Sequence, residues 1–158
     1  MRAAVPPTGG QVSERREPIS QEIRRIFEQA PFIADLGVVL DRIAPGVCET
    51  SLRLERRHLQ QDGYVHAGVM ATLADHTAGA AAATLVGPNE YVLSVEFKIN
   101  LLRPAHGDWL HCRATVLKPG SRIDVVESEL WAEDGGDSKL VAKATVTLAV
   151  LARAPRED

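Results

Sequence analysis

The segment His66–Val86, HAGVMATLADHTAGAAAATLV, does most to limit what this chain can fold into. It is a long run of small and apolar residues stopped by Gly87-Pro88, a pattern that predicts a single helix. After it the apolar period changes to two. Leu93, Val95, Phe97, Ile99 and Leu101 alternate with Ser94, Glu96, Lys98 and Asn100. Leu110, Cys112, Ala114 and Val116 alternate with His111, Arg113 and Thr115. Ile123–Ala132 follows, with an alternation that slips near Val125-Val126 and suggests a bulge, and Leu140–Val150 closes the series. Short turns at Pro119-Gly120-Ser121 and Glu133–Asp137 join these strands, so an antiparallel sheet is expected. One face of that sheet must be covered, and only the long helix is big enough to do it. The expected class is α+β, a curved antiparallel sheet around one central helix.

Upstream, Leu36–Ile43 and Val47–Leu54 read as strands flanking an Ala44-Pro45-Gly46 turn. Ile19–Gln29 places Ile19, Ile23, Ile26 and Phe27 at helical spacing, which predicts a short, exposed amphipathic helix ended by Pro31. Residues 1–17 are rich in Pro, Gly and charge and are expected to be a disordered extension. One domain is expected over 18–151, with a frayed tail over 152–158.

Composition narrows the class. At 158 residues, 45% hydrophobic and 25% charged, the chain suits one ordinary soluble domain. A net charge of −3 excludes a broad electrostatic grip on nucleic acid. The N-terminus has no apolar core of a signal peptide, and His66, Asp75 and His76 interrupt the one long apolar stretch, against a membrane span. Cys48 and Cys112 fall in strands without metal-ligand spacing and are expected to be buried free thiols, in keeping with a cytoplasmic protein. Asp75 is the first candidate for chemistry, because a carboxylate inside an apolar helix is costly unless it is paired or used.

The chain resembles the hotdog-fold thioesterases, most closely the phenylacetate-degradation (PaaI-like) branch, over about residues 33–151. The residues that carry the resemblance are His58, Gln60, Gly63, His66, Gly68, Leu73, Ala74, Asp75, Ser94, Pro104, Gly107 and Asp108. The resemblance implies hydrolysis of acyl-CoA thioesters, with coenzyme A as part of the substrate and no cofactor or metal. By position it makes Asp75 the general base or nucleophile, Gln60 the residue that helps place water, and His66 a neighbour of the thioester. It makes the Ala67 amide the carbonyl-polarising donor and Ser94 a holder of water or substrate. Gly63, Gly68, Val69, Met70 and Leu73 are the expected substrate-binding positions. Two departures stand out. His66-Ala67-Gly68 replaces the family's frequent HGG, and Gln60, where the family has Asn or Gln, is one methylene longer than Asn.

The chemistry is physically reasonable for these residues. A helix N-terminus offers free N–H groups to an oxyanion, and a carboxylate in a partly apolar wall can take a proton from water. Direct attack by Asp75 through a mixed anhydride is the other route. Ala67 and Asp75 are eight residues apart, roughly 12 Å along one helix, too far to touch one carbonyl carbon. Either the first turn is not helical or the two come from different chains. The second is expected: antiparallel helices about a two-fold axis, with strand Tyr91–Leu102 pairing edge to edge with its twin. The partner is therefore a second copy of the chain, as a homodimer or a stacked tetramer.

The remaining polar residues receive plainer readings. His76 points about 100° from Asp75 and is expected to be structural. Ser94 shares an alternating face with Glu96 and Lys98 and could be merely exposed. His58, His106 and His111 read as surface or strand residues. Arg53, Arg56, Arg57, Arg103 and Arg113 form a solvated face from which one or two could hold phosphates. Two alternatives compete with the hydrolase. An enoyl-CoA hydratase on this fold would carry a motif resembling DxNPxH, absent here, and a DNA-binding acyl-CoA sensor would need a helix-turn-helix that the residues before the first strand are too few to form.

Overall fold

In a computed structural model the residues described are 21–154. The expected extension over 1–17 and the last residues of the tail lie outside them. Residues 21–28 form helix α1, followed by α2 (Pro31–Leu36), β1 (Val38–Ala44), β2 (Val47–Arg53), a 3-10 turn at Arg56–His58, and α3 (Ala67–Ala83). Then come β3 (Glu90–Leu101), β4 (Trp109–Lys118), β5 (Ile123–Asp134) and β6 (Asp137–Ala152). The strands form one antiparallel sheet in the order β1-β2-β4-β5-β6-β3, curved around α3. This is the hotdog architecture. Among the described residues no helix is long and apolar enough to cross a membrane.

The helix is rich in alanine because the sheet wraps it closely. Ala74, Ala78, Ala81 and Ala82 are fully buried. They pack on Cys48, Leu52, Leu110, Cys112, Ala114, Val126, Leu130, Ala144 and Val146 of the concave face, in two adjoining core clusters. The convex face carries charge. One row across it reads Arg42, Glu49, Arg113, Glu129 and Lys143 on five successive strands, each opposite a residue of the other sign.

Four expectations are corrected. Pro31 ends α1 but also opens α2, where its missing N–H costs nothing at the first turn, and Gly37 at φ 84° closes that helix. The helix α1 is not simply exposed, since Ile23 and Phe27 are buried against the core. Strand β5 does not slip: Asp124, Val126, Ser128, Leu130 and Ala132 all point inward. The register shift there arises on β4, where Leu117 is the extra residue opposite Val125 and Val126. His58 is no surface residue but is fully buried. In the tail, Arg153 is tied back, its N–H donating to the Asn89 carbonyl at 2.7 Å.

Candidate active site

Asp75 sits half-buried in the third turn of α3. The turn before it is clamped to the sheet by buried hydroxyls. Thr77 donates to the Leu73 carbonyl at 2.6 Å, Thr50 and Thr77 share a bond of 2.8 Å, and Ser128 donates to the Ala74 carbonyl at 2.8 Å. These bonds fix the height and rotation of the helix where the carboxylate leaves it.

Ser94 meets Asp75 from the sheet edge. Its hydroxyl donates to Asp75 Oδ1 at 2.6 Å. A bulge makes this possible: Ser94 pairs with Leu148 and Glu96 with Thr147, leaving Val95 as an extra residue. The phase of β3 therefore reverses at Val95. Ser94 does not share a face with Glu96 and Lys98, as plain alternation implies, but faces the helix.

A second group gathers at the N-terminus of α3. His66 is the N-cap, and its Nδ1 accepts the Gly68 N–H at 2.9 Å. A Cβ on Gly68 would lie 3.0 Å from that nitrogen, so a larger residue here would require the His66 ring to shift. The Ala67 N–H has no acceptor among the described residues, as the first helical amide should not. Gln60 and Gly63 lie in the preceding loop, where Gln60 Oε1 accepts the Asp62 N–H at 2.6 Å and the Gly63 N–H meets the Gln60 carbonyl at 3.1 Å. Buried His58 anchors the loop: Nδ1 accepts from the Glu55 N–H at 3.0 Å, and Nε2 donates to the Leu36 carbonyl at 2.9 Å. The His66 N–H then bonds the His58 carbonyl at 2.9 Å.

The candidate residues thus fall into two groups along one helix. Gln60, Gly63, His66, Ala67 and Gly68 meet at its start, and Asp75 and Ser94 meet two turns later. The helix is continuous from Ala67 to Ala83, so within one chain Ala67 and Asp75 stand roughly 12 Å apart along the axis. Met70 and Leu73 are core residues, with Val69 packed beside them. The cavity that Asp75 borders lies elsewhere. It measures about 340 Å³ and runs between α1, the second half of α3 and the start of β3. Asp75, His76 and Ser94 stand at one end, and Ile23, Phe27 and Leu148 contribute walls. The ring of His76 rests on Phe27 at 4.5 Å, with Nε2 buried and without a partner among the described residues. Burial lowers the His76 pKa below its usual value, against the pull of the neighbouring Asp75 charge.

A family model, the thioesterase superfamily, matches residues 62–139, from the loop before α3 into β6. A thioesterase family protein from Silicibacter pomeroyi, seen in a crystal structure, is 36% identical with a TM-score of 0.83, over 85% of this chain and 98% of that one. The chain belongs to the thioesterase superfamily. A protein of Saccharolobus solfataricus named as an esterase is 32% identical over 77% of this chain and 85% of its own length. A 1,4-dihydroxy-2-naphthoyl-CoA hydrolase of Listeria monocytogenes is 27% identical over 73% of this chain and 91% of its own.

The cavity-facing residues were not legible in the sequence. The i, i+4 spacing of Ile23 and Phe27 was the available signal, and it marks one buried stripe on a helix. Nothing in the sequence pairs Phe27 with His76, because the contact joins segments far apart in the chain.

Proposed function

We propose that this chain is an acyl-CoA thioesterase of the PaaI-like branch, working in the cytoplasm with Asp75 as its general base. The observation that carries this reading is the Asp75–Ser94 pair at the end of a cavity, on a member of a thioester-hydrolysing superfamily. Ser94 occupies Oδ1 and orients the carboxylate. Oδ2, which has no partner among the described residues, is left to take a proton from water as that water attacks the thioester carbon. The carbonyl oxygen becomes an oxyanion, for which the free Ala67 amide at a helix start is a suitable donor. Collapse of the tetrahedral intermediate releases the CoA thiolate and the acid.

One chain cannot supply both groups to one carbon across roughly 12 Å of helix. The reading therefore places Asp75 of one protomer opposite the Ala67 turn of its partner, in an antiparallel homodimer. Strand β3 is a sheet edge of 12 residues, and Leu93, Val95, Phe97 and Leu101 on it are exposed. Such an edge needs cover, and its own copy would extend the sheet across the dimer.

The test is thiol release from a panel of acyl-CoA thioesters, with Asp75→Asn beside the parent. Turnover by the parent that falls at least about a hundredfold in the variant is expected. Equal rates would remove Asp75 from the chemistry, and an inactive parent would contradict the hydrolase reading.

A further inference from the structure

We propose that the cavity under α1 holds the acyl group, and that its length selects a medium-length apolar chain. This rests on the thioesterase reading, because Asp75 and Ser94 mark the end at which the thioester carbonyl would sit. From there the cavity runs along α3 past Gly79 and Ala80 to Ala83, and beyond the helix its lining continues through Val86 to Glu90 and Arg153. Eight residues of helix from Asp75 to Ala83 give roughly 12 Å of depth. An extended hydrocarbon advances about 1.25 Å for each bond of about 1.5 Å, so that depth takes roughly nine or ten carbons. The volume agrees. About 340 Å³ lies at the small end of small-molecule sites, and roughly ten heavy atoms at about 30 Å³ each would fill it.

Each boundary of the cavity has a cause in the sequence. Gly79 and Ala80 leave the helix side open, and Phe27, its ring tilted at 56° to that of His76, lines the opposite side. The far end is polar and already engaged. Glu90 Oε2 accepts the Gly87 N–H at 2.8 Å, and Arg153 Nε donates to the Glu90 carbonyl at 3.3 Å. A chain long enough to reach Glu90 and Arg153 would press methylenes against groups that need water. Helix α1 is thus the specificity element of the site, although it lies outside the segment that matches the family model.

Two substitutions move the boundary in opposite directions. Gly79→Leu projects a side chain into the cavity. A Cβ there meets only the end of Leu148, at 3.9 Å, so the new side chain starts without a clash. Phe27→Ala removes a wall. The measurement is kcat/KM of the whole chain for straight acyl-CoAs of increasing length. The parent is expected to peak at roughly eight to ten carbons. In Gly79→Leu the ratio of decanoyl to butyryl kcat/KM should fall at least about thirtyfold, and in Phe27→Ala the peak should move to longer chains. Binding of the free carboxylic acids, followed by NMR, should show the same length dependence without any turnover. Turnover with a flat length profile, unchanged in both variants, would overturn the pocket and leave the hydrolase standing. Length-dependent acid binding lost in Gly79→Leu, in a protein that hydrolyses none of the thioesters, would keep the pocket and overturn the hydrolase.

Discussion

The hydroxyl of Ser94 reaches Asp75 only because Val95 is an extra residue in β3. One bulge on an edge strand turns a serine from solvent toward the helix, where it holds one oxygen of the carboxylate at 2.6 Å. Ser94→Ala should therefore lower kcat of thioester hydrolysis by about tenfold with little change in stability, because the bond lies at an open edge and, on the proposed mechanism, orients the general base. Steady-state kinetics beside a thermal melt checks this. An unchanged kcat would make the bond incidental.

Gly68→Ala tests the other group. The added methyl would stand 3.0 Å from His66 Nδ1 and push the ring off its cap. The loss should be about 1 kcal/mol of stability, measured by urea denaturation, together with reduced turnover. Ala67→Gly leaves the same amide in place and should keep that cap.

His76 makes stability depend on pH. Its pKa is lowered in the folded protein, chiefly by burial, so the unfolded chain binds a proton that the folded chain resists. Stability contributed by the neutral ring is whole above the unfolded value of 6.5 and is lost as pH falls below it toward the folded value. His76→Leu should flatten that part of the acid limb in melts collected downward from neutral pH. A limb as steep as the parent's would mean that other groups set it.

Cys48 and Cys112 should stay silent toward thiol reagents in the native protein. Burial raises both pKa values to about 12, so neither carries appreciable thiolate at neutral pH. Labelling with a disulfide reagent should appear only on unfolding, which leaves a thiol-release assay without background from the protein.

The legible part of this molecule was its layer plan. The helix over Ala67–Ala83 and the strands after it carry plain periods, because each has one face in a single core. What escaped were several places where a polar residue points inward or an apolar one does not. Asp124 and Ser128 lie on the buried face of β5, so hydropathy alone reads that strand as irregular. Val95 keeps the apolar alternation of Leu93 and Phe97, so nothing marks it as the bulge that reverses Ser94. His58 looks like a loop histidine until its two ring nitrogens are seen bonded to Glu55 and Leu36. Asp75 could be singled out from its helix, whereas the walls of the neighbouring cavity could not, because Phe27 and Leu148 come to it through tertiary folding.

The central claim is that each reaction centre joins Asp75 of one chain to the Ala67 turn of another, and subunit mixing tests it most directly. Asp75→Asn lacks the carboxylate, and Gly68→Leu disrupts the cap beside the Ala67 amide; each alone should be nearly inactive. Unfolded together in equal amounts and refolded, half of the dimers should be mixed, each with one intact centre, restoring about a quarter of the parent's activity per chain. Activity no greater than the average of the two variants alone would contradict a shared site.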